Sequence, residues 1–213
     1  MARKRRWSLQ VLGVLGGIAS GKTFVTRELA RLGAAAIDAD RIGHAVLREP
    51  EVREAVRRRW GDAVFSDGEV DRAKLAAIVF GAGELAREEL AELEKLTHPR
   101  ITERICDEIG RLDKSGEAPA VVLDAPVLLK AGWSEFCDRM IYVDAPREVR
   151  LARVLERGWS EDEFECREAA QESLQAKRRI ADFVIDNSRS AESTRQAVAQ
   201  FWRSLDLPQK RAN

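Results

Sequence analysis

The eight residues Gly16–Thr23, GGIASGKT, match the pattern G-x-x-x-x-G-K-[ST] at every fixed position. The preceding run LQVLGVL predicts a buried strand. The following TFVTRELARLG predicts a helix with Phe24, Val25, Leu29 and Leu32 on one stripe, ended by Gly33.

A glycine-rich turn between strand and helix can aim backbone N–H groups at an anion, and the helix adds its positive end. The motif therefore predicts a nucleotide-phosphate loop. Its binding residues would be Gly17, Ile18, Ala19, Ser20, Gly21, Lys22 and Thr23, with Lys22 on phosphate and Thr23 on Mg²⁺.

The start of the chain also fits an export signal, because the basic MARKRR precedes an apolar run and the small residues IAS. Cleavage there would destroy the phosphate loop, so we expect the segment to be retained. The uncharged run from Trp7 to Gly21 is shorter than the roughly 20 apolar residues that span a bilayer, so no membrane anchor is expected. We expect the ends, ARKRR and LPQKRAN, to be solvated.

The balance of acidic and basic residues excludes a strong electrostatic field from the net charge of the chain. The 36 basic and 36 acidic side chains cancel, so neither nucleic acid nor a membrane is expected as a partner. The three cysteines form no close pair and their number is odd, which favours a reducing, cytoplasmic location. We expect them to be small buried hydrophobes. Two histidines without a Cys/His cluster make a zinc site unexpected.

Strand patterns alternate with helical ones along the rest of the chain. Further strands are predicted in AAAIDAD, APAVVLDAPVLL, CDRMIYVDAP and ADFVIDNS. This alternation predicts an α/β fold, a three-layer α/β/α arrangement with a mainly parallel central sheet. The stretch from about 45 to 115 is helical around Pro50 and Pro99, with a turn at Asp67-Gly68, and is too long for one crossover. It predicts a separate helical lobe.

Three acids follow predicted strands. Asp38 and Asp40 end the second strand, where alternation would place both carboxylates on one side. Phosphoryl transfer needs a carboxylate that receives the acceptor proton, yet aspartate is also a favoured helix N-cap, and both interpretations stay open. Asp124 ends VVLD, where either a metal-side carboxylate or an ordinary turn residue is expected.

An arginine series follows the predicted strand CDRMIYVDAP. Arg147, Arg150, Arg153 and Arg157 recur at helical spacing and precede GWSEDE, a natural hinge between two helices. A solvated charged face is one interpretation. The phosphate loop favours the other, an arginine-bearing helical lid that closes over phosphates and excludes water. His98, beside Pro99, taken alone favours a packing or capping role.

Seven segments in order resemble the dephospho-coenzyme A kinase family, from about Val11 to Asn187. They are LGGIASGKT, LGAAAIDADRIGHAV, GEVDRAKLAAIVF, LTHPRI, VLDAPVLLKAG, REVRLARVLERGWSEDE and AAQESLQAKRRIADFVIDNS. The resemblance implies a single P-loop domain of the nucleoside-monophosphate-kinase type over 1–213. Its core would cover about 8–44, 116–146 and 180–205, with a helical acceptor lobe at about 45–115 and a lid at about 147–179.

The resemblance implies that ATP phosphorylates the ribose 3′-hydroxyl of dephospho-coenzyme A, with Mg²⁺, giving coenzyme A and ADP. Asp40 would be the base. Carried over by position, Lys22, Arg153 and Arg157 would act on the phosphates, and Arg72, His98 and Pro99 would match the acceptor side. We expect Asp38 on the acceptor side as well. Thr23 and Asp124 would hold the metal, Asn187 would approach adenine, and Gln171, Lys177 and Asp182 would be structural supports.

Two residues depart from the family pattern. Ala19 stands where glycine is usual, which is tolerable if its φ is negative, and Lys130 stands where glutamate is usual.

Two other functions remain open: a related small-molecule kinase acting on a nucleoside monophosphate or sugar acid, and a nucleotide switch. The sequence lacks the N-K-x-D guanine signature of many switches. The oligomeric state is left open.

Overall fold

The computed structural model describes residues 6–81 and 83–207, so residues 2–5 and 208–213 of the predicted solvated ends lie outside the described residues. The described residues up to Asp38 and from Ile109 onward form one compact unit. Those from Ala39 to Glu108 form a second. We call them the loop unit and the helical unit.

The strands of the described residues are β1 (Gln10–Gly16), β2 (Ala35–Asp38), β3 (Phe65–Ser66), β4 (Glu69–Val70), β5 (Ala120–Asp124), β6 (Arg139–Asp144) and β7 (Phe183–Asp186). The α-helices are α1 (Lys22–Arg31), α2 (Ala39–Val46), α3 (Pro50–Trp60), α4 (Arg72–Val79), α5 (Glu84–Ser115), α6 (Arg147–Leu155), α7 (Glu161–Ala169), α8 (Leu174–Arg179) and α9 (Ala191–Ser204). Short 3-10 turns lie at Asp62–Val64 and Trp133–Phe136.

The loop unit is built on a five-stranded sheet in the order β2-β5-β1-β6-β7. Every neighbouring pair in it is parallel, which confirms the predicted sheet. All residues of the central β1 are buried, as expected for a parallel strand covered on both faces. Leu12 and Val14 pack with Val25 and Leu29 of α1 and with Val198 and Phe201 of α9. This cluster is the core that fixes β1 and α1 on either side of the motif.

The register places acidic residues at one edge of the sheet. Asp38 pairs with Asp124 across β2 and β5, and Asp144 pairs with Asp186 across β6 and β7. The central strand ends instead at Gly16. Ligands of open parallel sheets bind outside these carboxyl ends, so the fold brings the motif and four carboxylates to the expected edge.

One prediction about the end of β2 is wrong. β2 ends at Asp38 and α2 begins at Ala39, so Asp40 is not on the strand and the alternation argument fails. An acid in the first turn of a helix is stabilised by the positive helix end, and this competing preference decides the boundary. Helix α1 runs to Arg31 with Leu32 as its C-cap, and Gly33 follows with a φ of 116°, so Gly33 ends the helix as predicted. Leu32, on the predicted stripe, is 39% exposed.

The helical unit contains α2, α3, α4 and most of α5. Helix α5 continues through Pro99, as predicted. The turn predicted at Asp67-Gly68 closes the hairpin β3-β4, which the sequence did not predict. Both residues have positive φ, 50° and 78°, as a tight hairpin requires. Carboxylates tie the helices together, because Glu49 bonds to Arg100 and Arg104 of α5.

The cysteine expectation holds only in part. Cys137 is buried, Cys106 is half-buried, and Cys166 on α7 is exposed. Cys166 follows Phe164, which takes the buried position of that helix, and so turns away from the core. None of the helices in the described residues has the length and apolar content that crossing a membrane requires.

Candidate active site

The motif has the predicted strand-loop-helix geometry. Gly16 has a φ of 155°, and a Cβ there would lie 2.5 Å from Ser20 Oγ and 2.7 Å from the Val143 carbonyl oxygen. Gly21 has a φ of 100°, and a Cβ there would overlap the Asn187 amide. Gly21 is also the N-cap of α1 and supplies no side-chain cap. The start of α1 is therefore open to an anion.

Ala19 adopts the left-handed conformation with a φ of 57°. The condition under which alanine was expected to be tolerable, a negative φ, is not met. An alanine in this region costs about 1–2 kcal/mol relative to an ordinary conformation. The loop therefore keeps the geometry that glycine would normally provide, at some cost in stability.

Lys22 folds back over the loop. Its Nζ donates to the carbonyl oxygens of Gly16 at 3.1 Å and Gly17 at 3.0 Å. Burial, then the positive charge of Lys177, lowers the pKa of Lys22 to about 8, and Asp124 opposes this change. Burial makes the charged form of this ammonium group unfavourable, so an anionic ligand would stabilise that form strongly.

Asp124 faces the same region from β5. Burial raises the pKa of Asp124 above its usual range, the charge of Lys22 lowers it, and Asp38 raises it again. Thr26 Oγ1 of α1 donates to Asp124 Oδ2 at 3.5 Å. The charge of Asp124 therefore interacts with both Lys22 and Asp38.

Arg153 and Asn187 bond to the backbone of the loop. Arg153 donates to the carbonyl oxygens of Ala19 at 3.1 Å and Ser20 at 3.2 Å, and to that of Asn187 at 2.8 Å. Asn187 Nδ2 donates to the Ser20 carbonyl at 2.7 Å, and its Oδ1 accepts from Thr194 at 2.8 Å. We call Arg153 and Asn187 the loop clamp. It joins α6, the loop and the segment after β7.

Two buried cations near the loop were not predicted as site residues. Arg150 is 3% exposed, donates to the Ala145 carbonyl at 3.1 Å and pairs with Glu168 of α7. Lys177 of α8 is also 3% exposed. The spacing predicts Arg150 on an arginine stripe, and the resemblance implies Lys177 as a structural support; neither pattern indicates that the two side chains are buried. Asp182 does act as a support, since its Oδ2 accepts from the Met140 N–H at 2.7 Å.

The other predicted site residues lie elsewhere. Arg157 is exposed just beyond the end of α6. Arg72 begins α4 and contacts His44, Asp40 lies in the first turn of α2, and His98 is half-buried in α5. Arg72, Asp40 and His98 belong to the helical unit. The phosphate loop, Asp38, Asp124 and Asn187 belong to the loop unit. Lys130 is exposed after β5.

A family model described as dephospho-CoA kinase matches residues 10–193. A dephospho-CoA kinase of Carboxydothermus hydrogenoformans is 40% identical over 208 residues, covering 95% of this chain and 98% of the relative. The chain belongs to the dephospho-CoA kinase family. A second relative, the dephospho-CoA kinase of Geobacillus kaustophilus, is 36% identical over 201 residues, with 92% and 98% covered.

Solved structures agree with this assignment. A Thermus thermophilus structure aligns with a TM-score of 0.78 at 33% identity, covering 95% of this chain and 99% of that one. The dephospho-CoA kinase of Campylobacter jejuni aligns with a TM-score of 0.63 at 25% identity, covering 92% and 97%. The P-loop kinase fold is therefore confirmed. The chain is a kinase that uses ATP to phosphorylate dephospho-CoA, the final step of coenzyme A biosynthesis.

Proposed function

We propose that the motif loop holds the polyphosphate of ATP and that Asp40 receives the proton of the ribose 3′-hydroxyl of dephospho-CoA. The observation that carries the proposal is the open end of α1 beside the buried Lys22 ammonium. Ser20 supports it, because its Oγ is buried and has no hydrogen-bond partner within the described residues. A phosphate oxygen would satisfy both groups.

Lys22 exchanges its two carbonyl partners for β- and γ-phosphate oxygens when ATP binds. Backbone carbonyls carry only partial charge, whereas phosphate oxygens are anionic and roughly double the strength of each hydrogen bond. Asn187, held against Ser20, lies on the adenine side. Arg157, exposed after α6, stabilises charge on the transferring group. Arg153 shares this task and also holds the loop before ATP arrives.

Thr23 and Asp124 fit a magnesium ion. Thr23 is an exposed residue in the first turn of α1, and the Asp124 carboxylate has a raised pKa that a cation would lower again. Both are hard oxygen donors of the kind Mg²⁺ prefers. No group of three or more His, Cys, Asp or Glu residues suited to a metal occurs in the described residues, so phosphate oxygens would complete the ligand set. A magnesium ion held by Thr23 and Asp124 would supply positive charge that neutralises the polyphosphate.

The helical unit is proposed as the acceptor lobe, with Arg72 and His98 contacting dephospho-CoA and Asp38 supporting the acceptor from the end of β2. Asp40 lies two residues further on, in the first turn of α2. We also propose a cytoplasmic reaction, since the free cysteines and the ATP requirement fit a reducing, ATP-rich compartment.

The decisive experiment compares the wild type with Asp40→Asn and the matched control Asp38→Asn. Mass detection follows conversion of dephospho-CoA to coenzyme A with ATP and Mg²⁺. We expect Asp40→Asn to keep ATP binding and lose about 10²–10⁴-fold in kcat, the usual contribution of a general base. Asp38→Asn should lose much less. A fully active Asp40→Asn enzyme would remove Asp40 from this role, and preferential turnover of a nucleoside monophosphate would assign a different acceptor.

A further inference from the structure

Lys177 is a buried lysine whose nearest carboxylate oxygen, within the described residues, lies beyond hydrogen-bond distance. Within the described residues its ammonium donates one hydrogen bond, to the neutral Gln171 Oε1 at 2.9 Å, and lies 3.9 Å from Glu172 Oε2. Burial lowers the pKa of Lys177, and the charges of Glu172 and Glu168 only oppose this change. A lysine that merely supported the fold would be less costly as an uncharged side chain.

Lys177 and Lys22 line the same cavity. Its other walls come from the end of β1, from the segment after β5, and from Glu172; they are Val14, Leu15, Gly16, Ala125, Pro126 and Leu129. A third cation lies against the same loop, because Arg150, itself 3% exposed, donates to the Ile18 carbonyl oxygen at 3.5 Å. Like charges gathered in a partly buried cavity are costly, and such clusters are typical of anion sites.

The walls of the cavity indicate which part of a bound nucleotide would lie nearest to Lys177. It extends along Ala125 and Pro126, directly after Asp124, which is the metal-side acid of the proposed site. Asn187, on the proposed adenine side, bonds to Ser20 and does not line the cavity. A polyphosphate bound on the loop would therefore direct its terminal phosphoryl group toward Lys177.

We propose that Lys177 is a second phosphate-binding lysine. When ATP binds, the Lys177 ammonium group gives up its hydrogen bond to Gln171 and contacts the terminal phosphoryl group, beside Lys22. The inference rests on the proposed function, since it assumes that the loop holds the polyphosphate. Gln171 and Glu172 keep the ammonium in the cavity until the nucleotide arrives. Lys177 then stabilises charge on the group being transferred.

The test is calorimetric titration of Lys177→Gln with ATP and with ADP. Loss of a charge-assisted contact to the terminal phosphate should weaken ATP binding about 10–100-fold, and ADP binding no more than about threefold. A merely structural role would weaken both nucleotides equally. Lys177→Arg retains the charge and should recover most of the ATP preference. Thermal melting checks that each variant is folded.

Arg178→Gln is the matched control. Arg178 is the next residue on α8, carries the same charge, pairs with Asp144 and does not line the cavity. We expect its ATP and ADP affinities to equal those of the wild type. Equal weakening of ATP and ADP in Lys177→Gln, or equal loss in Arg178→Gln, would overturn the inference. Failure of the wild type to bind ATP would instead overturn the proposed function.

A second measurement needs no destabilising variant. Lysine side-chain NMR of the wild type, with and without tripolyphosphate, reports the pKa of each ammonium, and Lys177→Arg identifies the Lys177 signal. Contact with the anion should raise the pKa of both Lys22 and Lys177. A rise confined to Lys22 would contradict the inference, and no rise in either would contradict the proposed phosphate loop.

Discussion

At the residue scale, the proposed contact between Lys22 and phosphate predicts that ATP binding depends on pH. Its pKa in the free protein is about 8, and contact with phosphate raises the pKa in the complex. Above about pH 8 the free side chain is neutral and must take up a proton on binding, so affinity should fall up to about tenfold per pH unit. Below that pH no such loss is expected from Lys22, because it is already charged.

Calorimetry from about pH 7 to pH 10 in buffers of different ionisation enthalpy would measure both the affinity and the proton uptake. Lys22→Arg is the control. Arginine keeps its charge over this range, so the decline attributable to this side chain should disappear. A wild-type affinity that follows the Lys22→Arg curve throughout would show that Lys22 is charged in the free protein above pH 8.

Ala19→Gly tests the cost of the left-handed loop residue. Removing the Cβ should relieve about 1–2 kcal/mol in the folded state, partly offset by about 0.4–1 kcal/mol of extra freedom in the unfolded chain. We expect denaturant unfolding to show a net gain between about 0 and 1.6 kcal/mol. The same change at Ala30, inside α1, should instead cost about 1 kcal/mol. A loss at both positions would show that Ala19 is not strained.

At the element scale, the loop clamp connects α6 to the phosphate loop. Arg153→Met removes three hydrogen bonds to carbonyl oxygens, so the amides of Ser20–Lys22 should exchange with solvent faster in the absence of nucleotide. ATP affinity should fall about tenfold or more, because bonds to a charged group contribute roughly 1.5–3 kcal/mol each.

Arg157→Met is the matched control for this prediction. It removes the same charge from a residue just after α6, yet no bond from Arg157 to the loop is present in the described residues. We expect unchanged exchange in the loop and a reduced kcat. Faster loop exchange in Arg157→Met, or unchanged exchange in Arg153→Met, would assign the loop geometry to other contacts.

Some elements could be predicted from the sequence because local and tertiary preferences agree. The apolar β1, the glycine loop and α1 form one such unit. The end of β2 could not, because the alternation pattern and the preference for an acid at a helix start compete at Asp38 and Asp40. The hairpin at Asp67-Gly68 was too short for a strand pattern to appear.

At the scale of the whole molecule, the balanced charge hides a local excess. The chain has a net charge of zero, yet Lys22, Arg150 and Lys177 interact around one cavity and loop. The sequence predicted the loop lysine from its motif. It could not predict the two other cations, since their burial results from contacts between segments far apart in the chain.

The two compact units predict separate responses to the two substrates. The phosphate loop belongs to one unit, whereas Asp40, Arg72 and His98 belong to the other. At a ligand concentration of about 100 Kd, binding stabilises the contacted region by about 2.7 kcal/mol, which slows amide exchange roughly 100-fold where exchange requires opening of that region.

A non-hydrolysable ATP analogue should therefore slow exchange around Gly16–Thr23. Dephospho-CoA, added to protein saturated with that analogue, should slow exchange within Ala39–Glu108. Mass-spectrometric exchange on the full chain would measure both effects, and protection by dephospho-CoA confined to the loop unit would exclude the helical unit as the acceptor lobe.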